Sequence, residues 1–191
     1  MERRDLLKMI VAATGAAMIG LPALAQGQPT TAAGKNTFSL AEVGMLDEIA
    51  ETILPRTATP GAKDAATGAF MAQFVTDCYT DKQQATFRAG LAEIDKRAGG
   101  RFVSLTPQAR TELLRTLDAE ASKRAVDVSE TGTAYATAAM PHYFTMIKQL
   151  AIFGFFTSKT GATEVLQYVA VPGRYDGELA YVPGTPAWAT S

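Results

Sequence analysis

A chain of 191 residues has room for about one domain, and 47% hydrophobic against 19% charged side chains is the composition of a chain that fills a core, which excludes a disordered protein. The formal charge of −1, with Lys and Arg scattered rather than clustered, gives no footprint for nucleic acid or an anionic membrane surface. One cysteine and one histidine supply neither an internal disulfide nor, from this chain alone, a Cys/His metal site or a haem attachment motif.

The first 25 residues, MERRDLLKMIVAATGAAMIGLPALA, divide into a charged head, an apolar middle from Met9 to Leu21, and Ala23-Leu24-Ala25 as an A-x-A cleavage site. The middle is interrupted by Gly15 and Gly20 and is too short to cross a bilayer of about 30 Å comfortably, which favours a cleaved signal over a retained anchor. The head is similar to the twin-arginine export motif: Arg3 and Arg4 are followed by Leu6, Leu7 and Lys8, and the weakly hydrophobic Ala/Gly-rich middle suits the same route. That route carries folded cargo, as when a cofactor or a partner must be assembled before export. Removal of residues 1–25 takes away three basic and two acidic side chains and moves the net charge from −1 to −2.

Residues 26–37, QGQPTTAAGKNT, read as a flexible leader, and the helical domain is expected over 38–170 with an extended arm over 171–191. Ser39 to Glu42 is a capping box, followed by apolar positions at Leu40, Val43, Leu46, Ile49, Ala50 and Ile53, with Pro55 as the stop. Pro55–Ala69 reads as a loop. A second helix is expected from Gly68 to Tyr79, with Phe70, Met71, Phe74, Val75 and Cys78 inward; Cys78 is either a buried small hydrophobe, which this spacing favours, or half of an intermolecular bridge. Thr80–Gln83 caps a third helix bearing Phe87, Leu91 and Ile94, which stops at Gly99-Gly100. Thr106-Pro107 opens a fourth, with Leu113, Leu114, Leu117 and Ala121 as its buried stripe and a break from Asp127. A fifth is expected over Pro141–Phe156 and a short sixth over Ala162–Tyr168. No segment alternates with period two between hairpin turns, so the fold class is all-α, a small bundle of five to six helices with an irregular C-terminal arm.

The sequence has no G-x-G-x-x-G, P-loop, H-E-x-x-H, C-x-x-C or G-x-S-x-G motif. Asp47, Glu48, Glu51 and Asp118 could hide a catalytic pair but read as solvated helix faces. His142, between Pro141 and Tyr143, reads as a first-turn histidine bonded locally, with a proton donor or an interface contact as the alternatives. What stands out is apolar surface. The fifth helix is apolar on nearly every side, so it is either the central core helix or a helix shared between the core and a partner. The arm adds Tyr175, Leu179, Tyr181, Val182 and Trp188, the aromatic and aliphatic anchors that protein interfaces use.

Three stretches then carry a family resemblance: the twin-arginine head, the opening FSLAEVGMLDEIAETILPRTATPGA, and the block HYFTMIKQLAIFGFFTSKTGATEVLQYVAVPGRYDG from His142 to Gly177. The chain resembles the small (gamma) subunit, subunit 3, of membrane-bound flavoprotein dehydrogenases of the gluconate 2-dehydrogenase type. The resemblance implies a chain with no catalytic, cofactor or metal residues of its own. Its partner would be a large subunit that carries FAD, oxidises a sugar, sugar acid or alcohol, and lacks its own signal. It further implies a cytochrome c subunit, with haem c or an iron–sulfur cluster as additional cofactors in the partners, and membrane association only through the complex. The small subunit would assist folding of the large one and carry it through the twin-arginine machinery to the periplasm, at the periplasmic face of the inner membrane. Phe153, Phe155, Phe156, Tyr168, Arg174, Tyr175, Tyr181 and Trp188 are the candidate partner-binding residues. Many members of the family place a cysteine directly after G-R-Y-D-G, where this chain has Glu178. Two readings from other classes stand beside this one: a free-standing periplasmic enzyme or ligand-binding helical protein with an unidentified site, and a general periplasmic chaperone.

Overall fold

Ser39 fixes where regular structure starts. Its hydroxyl accepts the Glu42 N–H and the Glu42 carboxylate accepts the Ser39 N–H at 2.7 Å, so the capping box is closed in both directions and helix α1 (Leu40–Ile53) follows. The computed structural model describes residues 38–130 (backbone only from 125 to 130), 140–171, 173, 178, 180 and 182–189, all within one unit spanning Asn36–Ser191. The signal sequence with Arg3, Arg4, Leu6, Leu7, Lys8, Ala23 and Ala25, and the whole leader over 26–37, lie outside the described residues. Met45, Leu46, Ile49 and Ala50 form the buried face of α1, whereas Leu40, expected inward, is 90% exposed because it sits in the first turn, ahead of that face. Leu54 leaves the helical region at φ −126°, ψ 75°, as the residue before a proline must.

The segment after Pro55 is not a plain loop. A 3₁₀ turn (Ala62–Ala65) interrupts it, and α2 (Thr67–Cys78) starts one residue earlier than the periodicity suggests. Met71, Ala72 and Val75 are buried, but Cys78 is exposed, which overturns the expected burial. The cause is the way α2 ends. Tyr79 turns to an extended conformation at φ −86°, ψ 143°, and its ring takes the inward place, edge-on to Phe74 and Phe87.

Thr80 and Gln83 close a second capping box on α3 (Asp81–Arg97), which buries Phe87, Leu91 and Ile94. A 3₁₀ turn (Phe102–Ser104) buries Phe102, and the Asp95 carboxylate accepts the Phe102 N–H at 2.8 Å. The Thr106 hydroxyl then accepts the Ala109 N–H, and α4 (Pro107–Glu130) buries Leu114, Leu117 and Ala121. The expected break at Asp127 does not occur there; neither glycine nor proline follows Pro107 until Gly132, and the helix runs on to Glu130.

The last long helix, α5 (Tyr143–Phe156), is the centre of the bundle. It packs against each of the other four, and Phe144, Met146, Ile147, Leu150, Ala151 and Phe155 are buried along it. Burial of a ring or a branched aliphatic here contributes about 1.5–3 kcal/mol, and among the described residues α5 supplies more buried hydrophobic side chains than any other helix. The expected sixth helix shortens to a π turn (Gly161–Val165), and Leu166 is already extended, so Tyr168 belongs to the arm. Among the described residues there is no strand; the one isolated bridge joins Gln167 to Trp188. Among the described residues the architecture is all-α, with five α-helices, two 3₁₀ turns and a short π turn before an irregular arm. Among the described residues no helix is long and apolar enough to cross a membrane.

Candidate partner interface

The acidic face of α1 holds the chain that follows it. The Glu51 carboxylate accepts the Arg56 and Lys63 N–H groups, each at 2.9 Å, and Asp47 accepts the Gly68 N–H at 2.9 Å. Glu48 bridges the Lys63 ammonium at 2.6 Å and the Arg110 guanidinium of α4. Burial works to raise the Glu48 carboxyl, but Lys63 and Arg110 together hold it below the usual range; burial pushes Asp47 up despite its bond to Gly68. These carboxylates are therefore anchors rather than solvated faces. The segment they hold allows no side chain where it meets them: a Cβ on Gly61 would lie 2.6 Å from both Glu51 carboxylate oxygens, and one on Gly68 would lie 2.5 Å from Asp47 Oδ1. Asp118, the fourth carboxylate, is half-buried and receives both of its bonds from Lys148 Nζ.

Across the bundle, α2 and α5 place three phenylalanine rings together. Phe70 and Phe74, one turn apart, meet Phe153 at centroid distances of 5.9 and 5.7 Å. The row continues through Tyr79 and Phe87 to Phe38, where the Arg88 guanidinium lies 4.0 Å over the ring. Gly154 makes the approach possible, since a Cβ there would come within 2.5 Å of Phe70. The outer end of this row is open: Phe153 is 48% exposed and Ile152 beside it is also exposed.

The candidate residues divide accordingly. Phe153 presents itself at the surface. Phe156 is half-buried against the core, and Phe155 is 3% exposed with its ring edge-on to Phe156, so it is a core residue and offers no surface to a partner. The helical repeat explains this, because Phe155 falls four residues after the buried Ala151 whereas Ile152 and Phe153 turn outward. Tyr168 and Trp188 are exposed, together with Val169, Val171 and Val182. Arg174, Tyr175 and Tyr181 lie outside the described residues.

Sequence reasoning missed Gln167, which ties the arm to itself. Its N–H donates to the Ala187 carbonyl and its own carbonyl accepts the Ala189 N–H, both at 2.8 Å, while its side-chain amide donates to the Pro186 carbonyl at 2.8 Å. Residues 186–189 are thereby held against Gln167. Val182-Pro183-Gly184-Thr185 makes a tight turn near the end of the arm, with proline at the second position, Gly184 at φ 86° and the Thr185 N–H donating to the Val182 carbonyl. Phe70 was visible as an apolar position on α2, but nothing in the local pattern pairs it with Phe153, which is 83 positions away in the chain.

His142 caps α5: its Nδ1 accepts the Phe144 N–H at 3.2 Å and its ring stacks on Tyr143 at 4.3 Å. Burial, and after it the charge of Arg124, lowers its pKa, so the neutral acceptor is the favoured form. This matches the local reading of the residue. Among the described residues no group of His, Cys, Asp and Glu side chains is placed to hold a metal ion.

The fold and surface thus define a small helical domain with an irregular C-terminal arm and an open aromatic edge. The family model described as Gluconate 2-dehydrogenase subunit 3 matches residues 41–173, from α1 into the arm, and the chain belongs to that family. Comparison with curated proteins and with solved structures gave no match.

Proposed function

We propose that this chain is the non-catalytic small subunit of a periplasmic flavin-dependent dehydrogenase complex. It binds the FAD-containing large subunit, assists its folding, and carries it through the twin-arginine pathway by means of Arg3 and Arg4. The observation that carries the reading is the apolar surface the bundle leaves open. Ile152 and Phe153 on α5, and Tyr168, Val169, Val171, Val182 and Trp188 on the arm, are exposed, while the hydrophobic core is made by other side chains. Exposed rings near the chain's own core helix suit a protein whose burial is completed by another protein. FAD, and any haem c or iron–sulfur cluster, would belong to the partner subunits, which would also set the substrate and any membrane association.

Co-expression of an affinity-tagged form of this chain with the large subunit tests the reading. The large subunit should co-purify with its flavin, and truncation from Gly177 onward should weaken the complex. A chain that purifies alone beside a soluble, active large subunit would overturn the proposal.

A further inference from the structure

A cleft of about 280 Å³ opens where the C-terminal end of α1 meets α4 and α5. Ile53, Leu114 and Phe144 form its apolar wall, and Leu114 and Phe144 are otherwise buried. Its charged edge is Arg115, Asp118 and Lys148. Two of these cancel, since both Asp118 oxygens accept from Lys148 Nζ at 2.7 and 2.8 Å. Arg115, three residues before Asp118 on the same helix, has no hydrogen bond or ion pair among the described residues. The hydroxyls of Thr52 and Thr111, which also line the cleft, donate to the carbonyls of Glu48 and Pro107 at 2.7 and 2.9 Å, so they are left as acceptors.

The cleft therefore offers one uncompensated guanidinium beside an apolar wall, with no uncompensated carboxylate. A guanidinium fork matches a carboxylate in two parallel hydrogen bonds. The volume falls just below the roughly 300 Å³ at which ligand pockets usually begin, so the occupant is a short molecule and not a nucleotide or a flavin. We propose that this cleft binds a small monocarboxylic acid, its carboxylate on Arg115 and its short chain against Ile53, Leu114 and Phe144. The proposal does not rest on the partner reading.

Titration of the purified full chain with sodium butyrate at constant ionic strength, followed by amide NMR, tests it. Saturable shifts are expected at residues 52–53, 114–118 and 144–148. Butyramide and butylammonium, which keep the chain but not the anion, should give none. Arg115→Gln should weaken butyrate by about tenfold or more, as loss of a charge-assisted pair does, with an unchanged melting temperature because Arg115 is exposed. Lys148→Met should weaken it as well, because it leaves the Asp118 charge uncancelled beside the ligand. Shifts that stay linear with concentration, equal binding of butyramide, or undiminished binding to Arg115→Gln would each overturn the proposal.

Discussion

Replacing Phe153 and Phe155 in turn by alanine separates surface from core on a single helix. Phe153 is 48% exposed. A phenylalanine can bury about 150–250 Å², so roughly 75–125 Å² of this ring remains for a partner. At about 25 cal/mol per Å², covering that area contributes roughly 2–3 kcal/mol to binding, a change of about 30- to 150-fold in Kd on truncation. Phe155 is 3% exposed, and its truncation leaves a cavity costing about 3–5 kcal/mol of stability, or a fall of about 10 °C or more in Tm for a chain of this size. The pair is measured by thermal unfolding of the isolated chain and by the affinity of each variant for the large subunit at a temperature where both are folded. Phe153→Ala should lose more affinity than Phe155→Ala and less stability. If Phe153→Ala binds as well as the native chain, the aromatic edge is not part of the interface and the area argument fails.

Gly68→Ala places a Cβ 2.5 Å from Asp47 Oδ1 and 2.6 Å from its backbone nitrogen, so denaturant unfolding should show a loss of about 1–3 kcal/mol; an unchanged midpoint would mean α1 and α2 are not held as tightly as described. The depressed pKa of His142 means that the unfolded chain binds more protons, so its contribution is present above the unfolded value near 6.5 and is lost as pH falls from there through the folded value. Tm should accordingly rise between pH 5 and pH 7, with a smaller rise in His142→Asn, which keeps a capping acceptor that does not titrate; equal slopes would refute the role of Nδ1. Gln167→Ala removes the bond to the Pro186 carbonyl, and limited proteolysis should cut between residues 168 and 187 several-fold faster with the Tm of the bundle unchanged. No change in cutting would show that the backbone pair alone holds residues 186–189.

The elements that local chemistry decides were legible in the sequence. Two capping boxes, one threonine cap before Pro107 and the stop at Pro55 located the starts of three helices and the end of the first, because each depends on residues within about four positions of one another. Contacts between distant segments were not legible. Cys78 lies four positions from Phe74, and periodicity alone placed it inward, but Tyr79 reaches back to Phe87 and takes that place. Asp47, Glu48 and Glu51 looked like solvent charges because their partners at 56, 63, 68 and 110 are brought to them only by the fold. For the interface, Phe153, Tyr168 and Trp188 are exposed in the structure, while Phe155 sits inside. A helix that is apolar on every side does not say in its own sequence which side its neighbours leave open.

The central claim is that this chain exports its partner, and subcellular fractionation of cells expressing both subunits tests it most directly. With the native signal, the flavin subunit and its dehydrogenase activity should appear in the periplasmic fraction. With Arg3→Lys and Arg4→Lys, both chains should stay in the cytoplasm. Unaltered export of the flavin subunit alongside the double variant, or in the absence of this chain, would contradict the account.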